Sequence, residues 1–546
     1  INSGGTITAQ STGSGNAGHV TIQGHAGPAD SVVISGFDEN FNSSGIFTNT
    51  QGTGVGGNIF VNANSIALSD GGTLSAKTTG PGNAGNISIH ADTLTLDGFF
   101  TQIQANTGRD SQGRGGNIDV QVRAASLTGG SSILANTEGL GDAGDIRIQA
   151  AQSIALTGGS FITSSSFDSG KGAGNAGLIH LTAPTIDLQG GSIISLSQGP
   201  GNAGDMILEA NTVTASDHSI IVADTSFGPG RGGNISIQGL NGSGSLAGDV
   251  TISGQSTITS STSGKGPAGN IAVLTERLTL TNSSMNTSTG ATGDAGNITI
   301  NASDSVQVSS VSELHSSSGV GPTGNAGQIT ITTPTMTVDQ GGVISTSSSG
   351  TGNAGGITVN ANSVSLLSGG QLTSSSSVDP APSAPPPTGP AGTVTVTGLA
   401  GPANSILIDG SGSGIFTNTQ GTGAGGNIFV NANSVTLQNG GTLSAATSGT
   451  EASATGGTIT VNANQVQLNS GGLITASTTG AGDGGSITIG AGSTFASNAS
   501  TLSSTAAQAQ GGDINITAGQ SVTLNNGSLI TASSTGPGDA GDILIN

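Results

Sequence analysis

Apolar and polar residues alternate along this chain in short runs, and no segment holds a helical period over ten residues. After Gly85 the apolar positions are Ile87, Ile89 and Ala91, then Leu94 and Leu96, then, past a Gly-containing turn, Ile103 and Ala105. Alternation over four to six residues marks a half-buried strand. Gly, Asn and Asp punctuate the junctions, as tight turns require. The first apolar residue after each Gly-rich turn serves as a register mark. The marks fall at Val20, Ile59, Ile87, Ile118, Ile146, Ile179, Met206, Ile235, Ile271, Ile298, Ile329, Ile357, Val394, Ile428, Ile459, Ile487, Ile514 and Ile543. These 18 marks leave 17 intervals over 523 residues, a mean near 31, with the shortest at 27–29. Three short strands per interval describe one coil of a parallel β-helix. The prediction is an all-β, right-handed parallel β-helix solenoid, continuous over 1–546, with about 18 coils of 28–31 residues and three strands per coil. At ~4.8 Å per coil it would be a rod roughly 85–90 Å long.

A larger repeat overlies the first. Residues 45–65 and 414–434 differ only at Val55 and Ala424, and 24–36 resembles 398–410, so 24–65 and 398–434 are duplicated blocks. A looser relative lies at 239–254. These three coils are long because an insertion follows the first strand. The Pro-rich stretch 378–390 is expected to be a surface loop, since the register resumes at once. Residues 1–13 read as the last third of a repeat, and the chain stops after a first strand. Neither end reads as a cap, and an uncapped strand edge invites pairing. The expected partner is therefore the protein itself, stacked end to end, or the rest of a longer parent chain.

Composition narrows the function. Nine Lys and Arg stand against 30 Asp and Glu, a net charge of −21, so nucleic acid is excluded as a partner. All nine cations lie between Lys77 and Arg277, and 278–546 has none. The absence of Cys removes disulfides, thiolate metal sites and a cysteine nucleophile. No leader pattern and no apolar run of about 18 residues occur within the sequence, so membrane insertion is not expected.

The Gly-rich, Cys-free repeats with G-N-A-G-x-I-x-I turns, as at 82–89, resemble the filamentous-haemagglutinin-like exoproteins of two-partner secretion. That resemblance implies an extracellular, bacterial cell-surface β-helix working as a fibre, adhesin or biofilm-matrix component. It also implies export through an outer-membrane secretion pore and contact with host or matrix glycans. A non-enzymatic structural fibre is the expected function. A glycan-binding adhesin shaft and a β-helical polysaccharide lyase or hydrolase are the alternatives.

Candidate residues are few. The Asn of G-N-A-G recurs at Asn16, Asn83, Asn175, Asn202, Asn325 and Asn353. It either stacks as a hydrogen-bonded ladder between coils or serves a left-handed turn. No cofactor is expected. Ca²⁺ is the one metal considered, at the acidic pairs Asp142/Asp145 and Asp539/Asp542, where Asp replaces Asn. Asp119, Arg147 and His180 each follow a register Ile in consecutive coils and should stack on the outer face of the first strand, with Asp119 and Arg147 as a surface ion pair. The other His residues are read as surface residues. Phe99, Phe100, Phe161, Phe227 and Phe495 are expected to seal coil corners. The Ser/Thr-rich third strands, as at 373–377, suggest a hydroxyl-bearing outer face.

Overall fold

The computed structural model describes the chain except Asp110, 168–171, 320–323 and 378–387. The Pro-rich loop expected at 378–390 therefore lies mostly outside the described residues. Contacts divide the chain into two compact units, Ile1–Thr275 and Glu276–Asn546. Each is a parallel β-solenoid, and about 17 turns are present in all. Every one of the 18 register marks is the first residue of a strand.

In both units a full coil is a long strand, a three-residue strand and a single bridging residue. The first unit shows this at Ile87–Asp97, Gln102–Gln104 and Thr107, the second at Ile428–Gln438, Thr442–Ser444 and Thr447. The first two predicted runs are one bent strand in these coils and two separate strands in others, as at Met206–Glu209 and Thr212–Ser216 or Val394–Thr397 and Ala403–Asp409. The bend is visible in the burial phase: Ile87 and Ile89 point inward, and so do Leu94 and Leu96. The inward set changes parity between them, so the backbone turns a corner while its ladder continues. At this corner some coils divide the strand, as in Ile179–Thr182 and Thr185–Gln189 or Met206–Glu209 and Thr212–Ser216, whereas Ile329–Val338 runs through it unbroken with Pro334 at the bend.

Consecutive coils pair in register. Ile59, Ile87 and Ile118 form one column in the first unit, and Ile428, Ile459 and Ile487 one in the second. These side chains are 0–1% exposed. Burying each contributes about 1.5–3 kcal/mol, against the entropy of ordering its coil.

The turn before the long strand brings backbones closest. A Cβ on Gly85 would meet the carbonyl oxygen of Gly57 far inside 3.0 Å, and one on Gly116 would meet that of Gly85. Gly426 and Gly457 stand in the same relation to Gly392 and Gly426. Their φ values are ordinary, so space rather than conformation selects glycine here. Small buried hydroxyls complete the turn: Ser195 Oγ donates to the Gly177 carbonyl at 3.0 Å and accepts the Gly204 N–H at 2.9 Å.

The six Asn positions resolve in favour of coil-to-coil bonding, by a different bond from a stack of amides. None has a positive φ. Instead the side-chain oxygen accepts the backbone N–H of the next coil. Asn16 caps Val55 (3.0 Å), Asn83 caps Arg114 (2.9 Å), Asn175 caps Asn202 (2.9 Å), Asn202 caps Arg231 (2.9 Å) and Asn325 caps Asn353 (3.0 Å). Above Asn353 stands Pro390, whose carbonyl accepts from Ala354 and which has no N–H to offer. A parallel column runs through Asn58, Asn86, Asn117 and Asp145.

Two predictions follow from this geometry. Gly85→Ala should lose about 1–3 kcal/mol in chemical denaturation, through overpacking. Gly13→Ala, where a Cβ meets nothing within 4 Å, should stay within about 0.5 kcal/mol of the parent. Asn202→Ala strands the Arg231 N–H and should cost about 1–2 kcal/mol. Asn353→Ala, beneath Pro390, should cost a few tenths at most; equal losses at the two sites would refute the capping account.

Candidate functional site

The outer face of the long strands is free of the packing that fixes their inner face. In the first unit it carries an unusual set of residues. Asp119 pairs in register with Arg147, and Arg147 with His180, so the expected stack on one face is formed. One step along the strand, Gln121 pairs with Gln149, Gln149 with Thr182, and Thr182 with Glu209. The two rows floor a cleft of about 390 Å³, continuous through Gln121, Gln149 and Thr182 with a shallower one of about 750 Å³ that reaches Asp92 and Arg123. Leu240, from the insertion at 239–246, lines both.

Glu209 anchors the deep end. Its side chain is 14% exposed. One carboxylate oxygen accepts from Gln238 Nε2 at 3.1 Å, and the other accepts from Thr182 Oγ1 at 3.1 Å and lies 3.1 Å from His180 Nε2. The carboxylate is thus held in place from three sides. Sequence reasoning missed Glu209 because it stands two residues beyond the position aligned with His180. The signal was available in the coil register, which puts Glu209 in line with Thr182.

The predicted ion pair is corrected. Arg147 and Asp119 are register neighbours, but Arg147 Nη2 reaches Asp145 Oδ2 at 3.0 Å, two residues back on its own side of the turn. Asp142 takes Arg114 Nη2 at 2.7 Å. Both acids also cap the next coil, Asp142 to the Asn175 N–H (2.8 Å) and Asp145 to the Leu178 N–H (3.0 Å). They do the work of Asn in the ladder, and their oxygens are already engaged. Asp539 and Asp542 are exposed, and the Asp542 N–H is capped by Asp513 at 2.8 Å. Among the described residues no three His, Asp or Glu side chains converge as a metal site.

Three further expectations change. Phe99, Phe100 and Phe227 are 67%, 63% and 78% exposed rather than sealing corners, because Phe100 and Phe227 sit at φ +68° and +64° in turns that face solvent. Phe99 and Phe100 lie edge to face at 4.5 Å, with Phe37 6.4 Å from Phe100. Phe161 is half-buried, and Phe495 is fully inside its coil. The hydroxyl-rich third strand is not one outer face. Within 373–377, Ser374 and Ser376 are fully buried, and Thr373 and Ser375 bond to each other at 2.9 Å. His315 is half-buried beside Glu313, and burial pushes its pKa down against the pull of that carboxylate.

Fold and register together define a parallel β-solenoid repeat protein. Comparison with protein-family profiles, with characterised proteins and with solved structures returned no match.

One half-buried acid makes a testable case. Asp224 caps the Ser261 N–H at 2.6 Å, as Asn49 caps Lys77 at 2.9 Å in an earlier coil. Burial raises its pKa above the usual 3.8, against the lowering effect of the bonds from Ser261 and Thr259. A raised folded pKa means stability present below pH 3.8 and lost as pH rises through the folded value. Asp224→Asn keeps the acceptor oxygen and removes the charge. It should raise the melting temperature at pH 7 and flatten the fall in stability across the weakly acidic range; an unchanged pH profile would count against the assignment.

Proposed function

We propose that this chain is part of a non-enzymatic, extracellular structural protein of a bacterial surface, a fibre or filament used in adhesion or matrix scaffolding. The observation that carries this reading is the density of bonding between coils. In each unit every full coil is tied to the next by a long parallel ladder, a three-residue ladder, a bridging residue and side-chain caps on backbone N–H groups. Force along the stacking direction is thus shared among many bonds at each step. The G-N-A-G-x-I-x-I resemblance supports a filamentous-haemagglutinin-like exoprotein, exported through an outer-membrane pore of the two-partner type. Stacking of copies, or continuation in a longer parent chain, belongs to the same reading.

Immunogold electron microscopy of cells that make the protein tests it. Label on unbranched surface fibres, with a ~4.8 Å repeat along the fibre in diffraction, is the expected result. Label confined to the cell interior would overturn the proposal.

A further inference from the structure

We propose that the groove on the first unit, over Asp119–Glu209 and beneath Leu240, binds a linear, uncharged oligosaccharide lying across the coils. The observation behind this is the composition of the groove floor in an otherwise poorly functionalised chain. Only 7% of the residues are charged, yet the floor brings together Asp119, Arg147, His180 and Glu209 with Gln121 and Gln149. Three successive coils present a pair of polar groups, Asp119 with Gln121, Arg147 with Gln149, and His180 with Thr182, and the fourth presents Glu209 beside Ile207. Carboxylate, carboxamide and guanidinium groups are planar and present two bonding atoms at fixed spacing, which suits vicinal hydroxyls. Gln121, Gln149 and Arg147 are exposed, and Arg147 gives Nη2 to Asp145, leaving its other donors to face the groove. The pairs recur about every 4.8 Å, near the length of one pyranose ring, so one sugar residue can face one coil.

Charge selects the class. Across both parts of the groove two guanidiniums, Arg123 and Arg147, face three carboxylates, Asp92, Asp119 and Glu209. Arg147 is also engaged by Asp145. A uronate or sulfated chain would meet net negative charge in a protein of charge −21. A neutral chain finds donors and acceptors in balance. Leu240 supplies an apolar edge for the C–H face of a sugar.

The insertion that brings Leu240 has a counterpart that serves as an internal comparison. The 398–403 insertion of the second unit places Leu399 at the equivalent position, with its N–H 3.4 Å from Asn362 Oδ1. The neighbouring outer faces there carry Thr330, Thr358 and Thr395 in register, and Thr332, Asn360 and Thr397. The wall is repeated, but the charged and paired floor is not. The floor of the first unit is therefore a local specialisation of the repeat.

The test is isothermal titration of the 1–546 chain with cello-, malto- and mannohexaose, and with oligogalacturonate as the charged probe. We expect at least one neutral hexaose to bind with a Kd below about 1 mM. Affinity should rise with chain length to about four residues, one per coil from Asp119 to Glu209, and then level off. Gln121→Ala/Gln149→Ala should weaken binding at least about tenfold while leaving the melting temperature unchanged. Leu240→Ala should weaken it less, and Asn360→Ala in the second unit not at all. No binding of any neutral hexaose, preference for the uronate, or binding unaffected by the double substitution would each overturn the proposal. So would saturable binding of an extended peptide at these residues that the sugars fail to displace.

Discussion

The closest approach in this protein is between backbones, at the Gly-rich turn that opens each coil. Parallel strands stack about 4.8 Å apart, and the turn has to stack at the same pitch although its backbone does not lie flat. At Gly57, Gly85, Gly116 and Gly144 the carbonyl of one coil faces the Cα of the next with no room for a methyl group. The consequence propagates. Because these columns close, the three-residue strands and the bridging Thr and Ser residues meet their counterparts in register, and the aliphatic columns stack like on like. The 97 glycines are largely the record of this constraint, repeated coil after coil.

The acidity of the chain has a related origin. A capping position needs one oxygen aimed at the N–H of the coil above. Asn supplies it, and so does Asp where solvent or an Arg meets the second oxygen. Asp142, Asp145, Asp205, Asp294, Asp483 and Asp513 all cap in this way. His19 does the same through Nδ1 for the Asn58 N–H. Part of the acidity is therefore a product of local hydrogen-bond chemistry, with no ligand needed to explain it. Asp224 shows the limit: the same substitution in a half-buried position puts a charge where desolvation opposes it.

The outer face is where the repeat can vary without cost to the coil. Inward positions have to stay aliphatic and the turn has to stay small, but outward residues of the long strand only touch their register neighbours. That freedom lets Asp119, Arg147, His180 and Glu209 collect on one face in the first unit while the corresponding face near Leu399 remains Thr and Asn. An insertion at the corner after the first half of the long strand adds a wall without disturbing the ladders on either side. A site can thus arise on this scaffold by surface substitution and one insertion.

Much of this was legible in the residues themselves. The alternation at Ile87, Ile89, Leu94 and Leu96, and its return about every 28–31 residues, defines strands, coil and register without reference to any structure. Register alone also stacks Asp119, Arg147 and His180. What it left open were the choices made by neighbours above and below. In most coils two runs became one bent strand because pairing with adjacent coils carries through the corner, while others, such as Met206–Glu209 and Thr212–Ser216, keep them apart. The turn Asn of G-N-A-G bonds to a backbone N–H of the next coil, because the coil pitch brings that N–H within reach. Phe99 and Phe100 stay outside while Phe495 goes in, although all three are apolar, because backbone φ and the space beneath each ring decide. Arg147 turns to Asp145 rather than Asp119, and Glu209 joins the groove through Thr182 and Gln238. The periodicity is a local property of one chain segment and is written in it; which side chain meets which depends on distances between segments roughly thirty residues apart, and only the stacked coils set those.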